Sequence, residues 1–469
     1  MKLIVNAMLV LITLIFAFST SKAQINWTEY AIDSQFDGAW GLYVCDIDGD
    51  SDIDIVGCAK NHDNVAWYEN DGSQFFTKHV VDNNFDGANC VKAIDINSDG
   101  DLDVLGTADG PGYDGLISWW ENDGDMNFTP HSISSAFEYT HWADAADLDE
   151  DDDIDIIAVA TWGHLITWWE NDGEENFTEH TIASNFRYPY FVSAVDLDND
   201  DDLDLMVGAA YQELTWFENN GNEVFTPHSI SNLDSCFATS ISVADMDDDG
   251  DLDVLANELW RDDVYWFVND GNQNFYIQII DYNYNGAYSV EAADIDNDGD
   301  MDAVGAAWDD DAISWWEHND NGTFSRYDLT NSFSYARRAI PVDIDLDGAL
   351  DIVGAGERAD KICWWESDLV TSIANRTKPD LPEGIALLPA YPNPFNANTT
   401  ISYTLPAPRN VTIDIFDLQG RKLQTLVNRF EQAGLHKVNF DASYMASGFY
   451  IYKLQVGNYS ESKRMVLLK

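Results

Sequence analysis

DLDEDDDIDIIAVATWGHLITWWENDGEENFTEHTI, residues 147–182, is one copy of a pattern that fills most of this 469-residue chain. Its core is a nine-residue acidic loop with Asp at alternate positions. That core recurs as DIDGDSDID (46–54), DINSDGDLD (95–103), DLDEDDDID (147–155), DLDNDDDLD (196–204), DMDDDGDLD (245–253), DIDNDGDMD (294–302) and DIDLDGALD (343–351). The first residues lie 49, 52, 49, 49, 49 and 49 apart, and a fixed period of this size marks a propeller, a solenoid or an array. Inside each unit the order is constant. A small and β-branched stretch precedes the loop, and a short apolar strand such as Ile156-Ile157-Ala158-Val159 follows it. Then come a variable loop, a Trp-rich strand (LITWWEN and its counterparts), an Asn-Asp-Gly type of turn and a last strand. Four short antiparallel strands in each of seven units predict an all-β fold, a seven-bladed β-propeller.

The two ends of the repeat region support a closed ring. The seventh unit stops at Trp365-Glu366 without its last strand, and Ile25-Asn26-Trp27-Thr28-Glu29-Tyr30-Ala31-Ile32 matches the missing piece. The two ends are therefore expected to share one blade, which removes two exposed sheet edges.

Carboxylates at alternate positions, then a tight turn and a strand, wrap oxygen ligands around one hard cation. Positions 1, 3, 5 and 9 of the loops give the candidate ligands. They are Asp46, Asp48, Asp50 and Asp54; Asp95, Asn97, Asp99 and Asp103; Asp147, Asp149, Asp151 and Asp155; and Asp196, Asp198, Asp200 and Asp204. The last three loops supply Asp245, Asp247, Asp249 and Asp253; Asp294, Asp296, Asp298 and Asp302; and Asp343, Asp345, Asp347 and Asp351. Position 7 is Asp in six loops and Ala349 in the last, which fits a backbone carbonyl as the ligand there. Position 6, at the sharp turn, is Gly in four loops and Ser51, Asp152 or Asp201 in the others, where weaker sites are expected. All-oxygen ligation favours Ca²⁺, or less well Mg²⁺, over zinc or copper, so structural calcium at up to seven sites is the expected cofactor.

These residues resemble the FG-GAP/VCBS repeat family, which includes the propeller of integrin α-chains. The resemblance covers 24–366 and implies that the side chains at positions 1, 3, 5 and 9 bind calcium. It leaves the ligand open, since the family holds adhesins, lectin-like proteins and non-catalytic parts of enzymes.

Composition is globular, 45% hydrophobic with 17 Trp, 21 Tyr and 23 Phe, yet the net charge is −61. Residues 24–385 hold 12 Lys and Arg against 79 Asp and Glu, whereas 386–469 hold 9 against 5. A surface that acidic repels nucleic acid and anionic membrane and attracts cations. Residues 1–23 form an expected signal peptide: Lys2, an apolar run from Leu3 to Phe18, and Ser21-Lys22-Ala23 as the cleavage site. No transmembrane segment is expected in the mature chain, which is read as a monomer. Cys45, Cys58, Cys90, Cys236 and Cys363 are odd in number and follow no framework spacing; they stand as small buried residues.

After Glu366 the composition changes. A linker at 367–385, with Pro379 and Pro382, leads to YPNPFNANTTISYTLP (391–406). Alternation at Ile401, Tyr403 and Leu405, and at Val411, Ile413 and Ile415, marks strands. Asp417-Leu418-Gln419-Gly420 marks a turn, and 448–454 a late strand. A small β-sandwich of the Ig-like kind is predicted over 386–469. It resembles the type A sorting domain of type IX secretion, with Ala397 where that family usually has Pro. The resemblance implies Sec export, passage through the outer membrane by the type IX machinery, and a secreted or cell-surface protein.

Acidic loops and Asn-Asp-Gly turns fall on one face of such a ring, and the variable loops fall on the other. The only length change, around Pro111-Gly112-Tyr113, is in a variable loop. That face brings Trp40, His141, Trp142, Tyr190, Tyr288, Arg337 and Arg338 near the ring centre. Tyr113, Trp162, His164, Tyr211, Trp260, Arg261, Trp308 and Arg358 lie further out. Trp40, Trp142, Tyr190, Tyr288, Arg337 and Arg338 are the candidate ligand-binding residues, suited to stacking a sugar or gripping a protein. Paired tryptophans such as Trp119-Trp120 and Trp315-Trp316 recur at one strand position and read as inter-blade core. His79, His131, His180 and His228 read as structural residues of the fourth strand. The chain contains no HExxH, GxSxG, CxxC or phosphate-cradling glycine loop, so no catalytic residue is assigned. The reading is a calcium-binding propeller that captures an extracellular glycan or protein. An extracellular polysaccharide lyase and a passive surface-layer component are the alternatives.

Overall fold

A computed structural model describes residues 25–230, 236–319 and 321–369, together with most of 386–467. The expected signal segment at 1–23, the linker prolines Pro379 and Pro382, and the expected turn at 417–420 lie outside the described residues. The chain divides into two compact units, Met1–Thr371 and Ser372–Lys469.

Among the described residues, the first unit contains seven four-stranded antiparallel sheets. Six are built from consecutive strands; blade 3, for example, pairs Thr140–Ala146, Asp155–Ala160, Leu165–Asn171 and Phe177–Ser184 in that order. Each acidic loop joins the first strand of a blade to the second. The second strand is buried along its whole length, as in Asp155–Ala160.

The seventh sheet is composite. Trp27–Asp33 pairs antiparallel with Lys361–Ser367, Trp27 opposite Ser367 and Tyr30 opposite Trp364. Backbone amide and side chain of Asn26 also donate to Asp368 at 2.7 and 2.6 Å. The N-terminal segment therefore supplies the fourth strand that the last repeat lacks.

Why tryptophans come in doublets follows from strand geometry. Successive side chains point to opposite faces of a sheet. Trp119 packs with Phe137, Ile156 and Trp169 of blade 3, while Trp120 packs with Val56, Val65 and Trp67 of blade 1. Every blade thus fills the seam on each side of itself. Seven separate apolar clusters result, one in each seam, and the cluster of Tyr68, Ile344, Val353 and Trp364 joins blade 7 to blade 1. The ring is closed. Polar ties cross it as well: Trp120 Nε1 donates to Asp82 at 3.1 Å, Trp316 Nε1 to Asp281 at 3.0 Å and Tyr68 Oη to Asp33 at 2.9 Å. All five cysteines are free thiols, and Cys58, Cys90, Cys236 and Cys363 are buried in this packing.

In the second unit two antiparallel sheets share one core. One joins Ala386–Leu387, Asn398–Leu405 and Gly434–Asp441; the other joins Lys422–Glu431, Arg409–Phe416, Gly448–Val456 and Tyr459–Leu467. The alternating Ile401, Tyr403, Leu405, Val411, Ile413 and Ile415 all point into that core.

The composite blade gives a direct test. Removing residues 24–33 from the mature protein leaves Lys361–Ser367 as a bare edge. It also deletes the stack of Tyr30 on Trp364 (5.1 Å) and the Tyr68–Asp33 hydrogen bond. Those two interactions alone contribute about 2 kcal/mol. Light scattering and thermal unfolding should show self-association and a lowered Tm; an unchanged monomer of unchanged Tm would contradict closure by this strand.

Candidate metal loops and aromatic face

Hydrogen bonding fixes the seven acidic loops in one conformation. The position-1 carboxylate accepts the backbone N–H of position 6 in every loop, at 2.9 to 3.2 Å. Position 5 accepts the N–H of position 7 in every loop, at 2.8 to 3.1 Å. The buried Asp at position 9 bonds at both oxygens. Asp155 Oδ2 accepts from Leu148 N–H at 2.9 Å, and its Oδ1 accepts from Asn171 N–H at 2.8 Å. One Asp thereby ties the start of its loop to the end of the third strand. Position 6 has positive φ throughout, from Asp152 at 74° to Gly299 at 101°, as the turn argument requires. Position 4 does too, including Leu346 at 58° and Glu150 at 63°, which the sequence did not disclose.

Position 7 proves to have a separate task. A Cβ built on the turn residue Gly173 would lie 2.5 Å from Asp153 Oδ2, and Gly72, Gly124, Gly221 and Gly271 stand in the same relation to Asp52, Asp101, Asp202 and Asp251. Those glycines have φ near +70° as well, so only glycine fits beneath the carboxylate. The last loop carries Ala349 at position 7, and its blade has no such turn.

The donor set fits a divalent cation. Oxygens of Asp46, Asp48 and Asp50 lie within 4.8 Å of one another, as do those of Asp147, Asp149 and Asp155, of Asp196, Asp198 and Asp204, and of Asp245, Asp247 and Asp249. Buried Oδ1 atoms of Asp46, Asp149 and Asp198 have no hydrogen-bond partner. Burial, reinforced by neighbouring carboxylates, pushes Asp54 and Asp155 up to about 7 and Asp302 and Asp351 up to about 8. Positive charge at the loop centre is what would hold these groups ionised.

On the opposite face the six candidate ligand-binding residues do come together, and they bind each other. The Arg337 guanidinium lies 3.7, 4.3 and 4.4 Å from the rings of Trp40, Tyr288 and Trp308, and its Nε donates to Glu357 at 2.9 Å. Tyr190 and Tyr288 share a hydrogen bond of 2.9 Å, and His141 stacks on Tyr190 at 3.9 Å. Arg338 covers Trp142 at 5.0 Å and pairs with Glu291 at 3.3 Å. Burial holds the His141 imidazole well below its usual range, so it stays neutral. Arg337 is 3% exposed and Tyr288 5%. The space between these residues is a cavity of about 10 Å³, room for one water. The centre is a plug.

Exposed rings surround it. Tyr113, Trp162, Tyr211 and Trp260, from the variable loops of blades 2 to 5, are 46% to 51% exposed. They form one network with the plug. Tyr113 meets Trp162 at 5.2 Å, Trp162 stacks on Tyr139 at 4.5 Å and Tyr139 meets His141 at 4.8 Å. From Tyr190 the contacts run on to Phe237 at 5.2 Å, to Trp260 at 4.8 Å and to Tyr211 at 4.9 Å. The sequence placed these residues further out on the same face but assigned ligand binding to the central six, which here are occupied with one another.

The FG-GAP-like repeat model matches residues 46–106, 95–158, 147–207, 196–256 and 254–305. The secretion system C-terminal sorting domain model matches 389–468 and marks the chain for type IX secretion, to the cell surface or the extracellular space. Among the described residues no helix is long and apolar enough to cross a membrane. A solved structure titled "Streptogramin B lyase structure" is similar with a TM-score of 0.53 and 12% identity, covering 73% of this chain and 98% of that chain; at that identity the likeness is one of fold alone. No curated protein matches the chain.

Leu346 offers a test of the loop conformation. A non-glycine residue in the left-handed region costs about 1 kcal/mol, and Leu346 is half exposed, so nothing is lost by trimming it. Leu346→Gly should raise the unfolding free energy by about that amount in denaturant titrations of calcium-saturated protein. A loss of stability would show that position 4 is not left-handed.

Proposed function

The chain belongs to the FG-GAP-like repeat family, and on that premise we propose a type IX-exported propeller whose acidic loops hold structural Ca²⁺ and whose aromatic rim binds a neutral glycan outside the cell. In this layout 24–366 is the binding propeller, 367–385 the linker and 386–469 the sorting domain. Asp or Asn side chains at positions 1, 3, 5 and 9 hold the ion, which neutralises carboxylates that otherwise repel one another. Extracellular modules bind calcium with dissociation constants of about 10⁻⁴ to 10⁻³ M, which suits a protein working outside the cell.

One observation carries the glycan reading: four half-exposed rings stand on consecutive blades and are held from beneath by a buried aromatic plug. Rings fixed in this way present flat apolar faces at little entropic cost, and sugar rings stack on such faces through their C–H groups. The neighbouring charge selects among sugars. With a net of −61 the protein repels anionic polysaccharides, leaving neutral chains as the favoured partner.

Chelation tests the metal half. At a calcium concentration 100-fold above Kd each independent site adds about 2.7 kcal/mol, so EDTA should lower the Tm steeply. Elemental analysis should find several equivalents of calcium. An unchanged Tm with no bound calcium would remove this part of the proposal.

Binding to an array of neutral glycans tests the other half. Trp162→Ala with Trp260→Ala should weaken binding by about 2 kcal/mol or more, with the fold retained and the Tm lowered by only a few degrees through the lost Tyr139 and Phe237 contacts. Equal binding by the double variant, or binding only to protein ligands, would refute the rim as a glycan site. Release of new reducing or unsaturated ends from the bound glycan would replace this reading with that of a polysaccharide-active enzyme.

A further inference from the structure

Four blades carry the same outward-facing pair. His79, His131, His180 and His228 each place Nε2 2.6 to 2.9 Å from the carboxylate of Glu69, Glu121, Glu170 and Glu218. Each imidazole also lies against the first aromatic of its own blade's doublet, His131 on Trp119 at 4.4 Å. Repetition alone makes these structural. What differs is the residue that the next blade's turn brings over each pair.

That turn residue has positive φ in every case: Met126 at 59°, Glu175 at 62°, Glu223 at 57° and Gln273 at 55°. Met126 packs in the apolar seam with Trp67, beside the first pair. At the seam of blades 2 and 3 the residue is Glu175, and one ligand atom from each of Glu121, His131 and Glu175 lies within 4.8 Å of the other two. Glu175 is exposed, but its turn is rigid: the N–H groups of Glu174 and Asn176 donate to Asp172 Oδ1 at 3.0 and 3.2 Å.

We propose that Glu121, His131 and Glu175 form a second class of metal site, for Zn²⁺ or a similar divalent transition ion. An imidazole nitrogen with two carboxylate oxygens is a borderline donor set, unlike the all-oxygen loops, and it selects zinc over calcium. Ligand atoms around a tetrahedral zinc ion stand about 3.3 Å apart, from bonds of roughly 2.0 Å. The 2.9 Å His131–Glu121 contact is already near that separation, and Glu175 needs a small movement to complete it. Zinc would take the Nε2 lone pair of His131, with the ring proton carried on Nδ1, and water would fill the fourth position. The ion would staple blades 2 and 3 at their outer edge. This site is independent of the calcium and glycan proposals.

The test is a zinc titration of full-length mature protein saturated with Ca²⁺, so that the acidic loops are occupied. Glu223→Gln is used as the background, because the repeat places Glu223 beside His180 as it places Glu175 beside His131. One equivalent should bind, and Co²⁺ in its place should give the intense visible absorption of a four-coordinate ion. Glu175→Gln should weaken binding by at least about tenfold without altering the Tm, and His131→Ala should abolish it. The proposal fails if no zinc binds, if Glu175→Gln binds as tightly as the background protein, or if the cobalt spectrum is that of a six-coordinate all-oxygen site.

Discussion

Everything in the ring depends on how the acidic loops are joined to the seams between blades. The second residue of each loop is apolar and buried: Ile47, Ile96, Leu148, Leu197, Met246, Ile295 and Ile344 each enter the cluster shared with the following blade. The asparagine that ends the third strand binds the same residue from across the seam. Asn171 Nδ2 donates to the Ile96 carbonyl at 3.2 Å, Asn219 Nδ2 to Leu148 at 3.3 Å and Asn70 Nδ2 to Ile344 at 3.4 Å. Nine residues therefore hold four to seven carboxylates in a small space and also anchor two blades. Electrostatic repulsion within the loop acts directly on the seam, and neutralising the loop relieves it. A cation held at this place would do more than fill a loop; it would set how firmly neighbouring sheets are held.

The same economy appears in the third strand. A doublet of large aromatics at the middle of a sheet gives each face of the blade one ring, so one dipeptide fills two seams. Its second ring donates to an aspartate of the preceding blade where it is Trp120, Trp316 or Tyr68. Because the interior needs a ring on both sides of every sheet, the sequence is rich in Trp without any of those tryptophans being free to meet a ligand. The rim tryptophans differ in kind. Trp162 and Trp260 stand in loops between second and third strands, where backbone pairing has ended and half of each ring remains in water.

Local regularity decided what could be read from the sequence. The period of 49, the alternating carboxylates and the displaced last strand all depend on neighbours in the chain, and the sheets follow them, including Trp27–Asp33 against Lys361–Ser367. The alternation of Ile401, Tyr403 and Leu405 was equally legible, because one face of a strand lies in the core. Three things were not. The left-handed backbone at position 4 is occupied by Gly, Ser, Glu, Asn, Asp and Leu, so composition hides it. In five blades the position-7 aspartate lies against a glycine some twenty residues later, a pairing visible only when both ends of the third strand are placed. And the fate of the central residues rests on contacts such as Tyr190 to Tyr288, 98 positions apart.

That last point favours the rim over the centre as the place where a ligand would meet the ring. Seven inward-facing first strands converge on the axis, and any polar or aromatic side chain there must find a partner among six others. In this chain the partners include cation–π contacts, one tyrosine pair and the ion pairs of Lys92, Arg337 and Arg338, and together they leave space for a single water. A guanidinium as buried as Arg337 is stable only because Glu357 and three rings surround it. A ligand drawn into the centre would have to replace those contacts in full, whereas a ligand lying across Trp162 and Trp260 displaces only water. The plug is thus the rigid base on which the exposed rings stand, and the outer loops of blades 2 to 5 carry the variation that a choice of ligand would need.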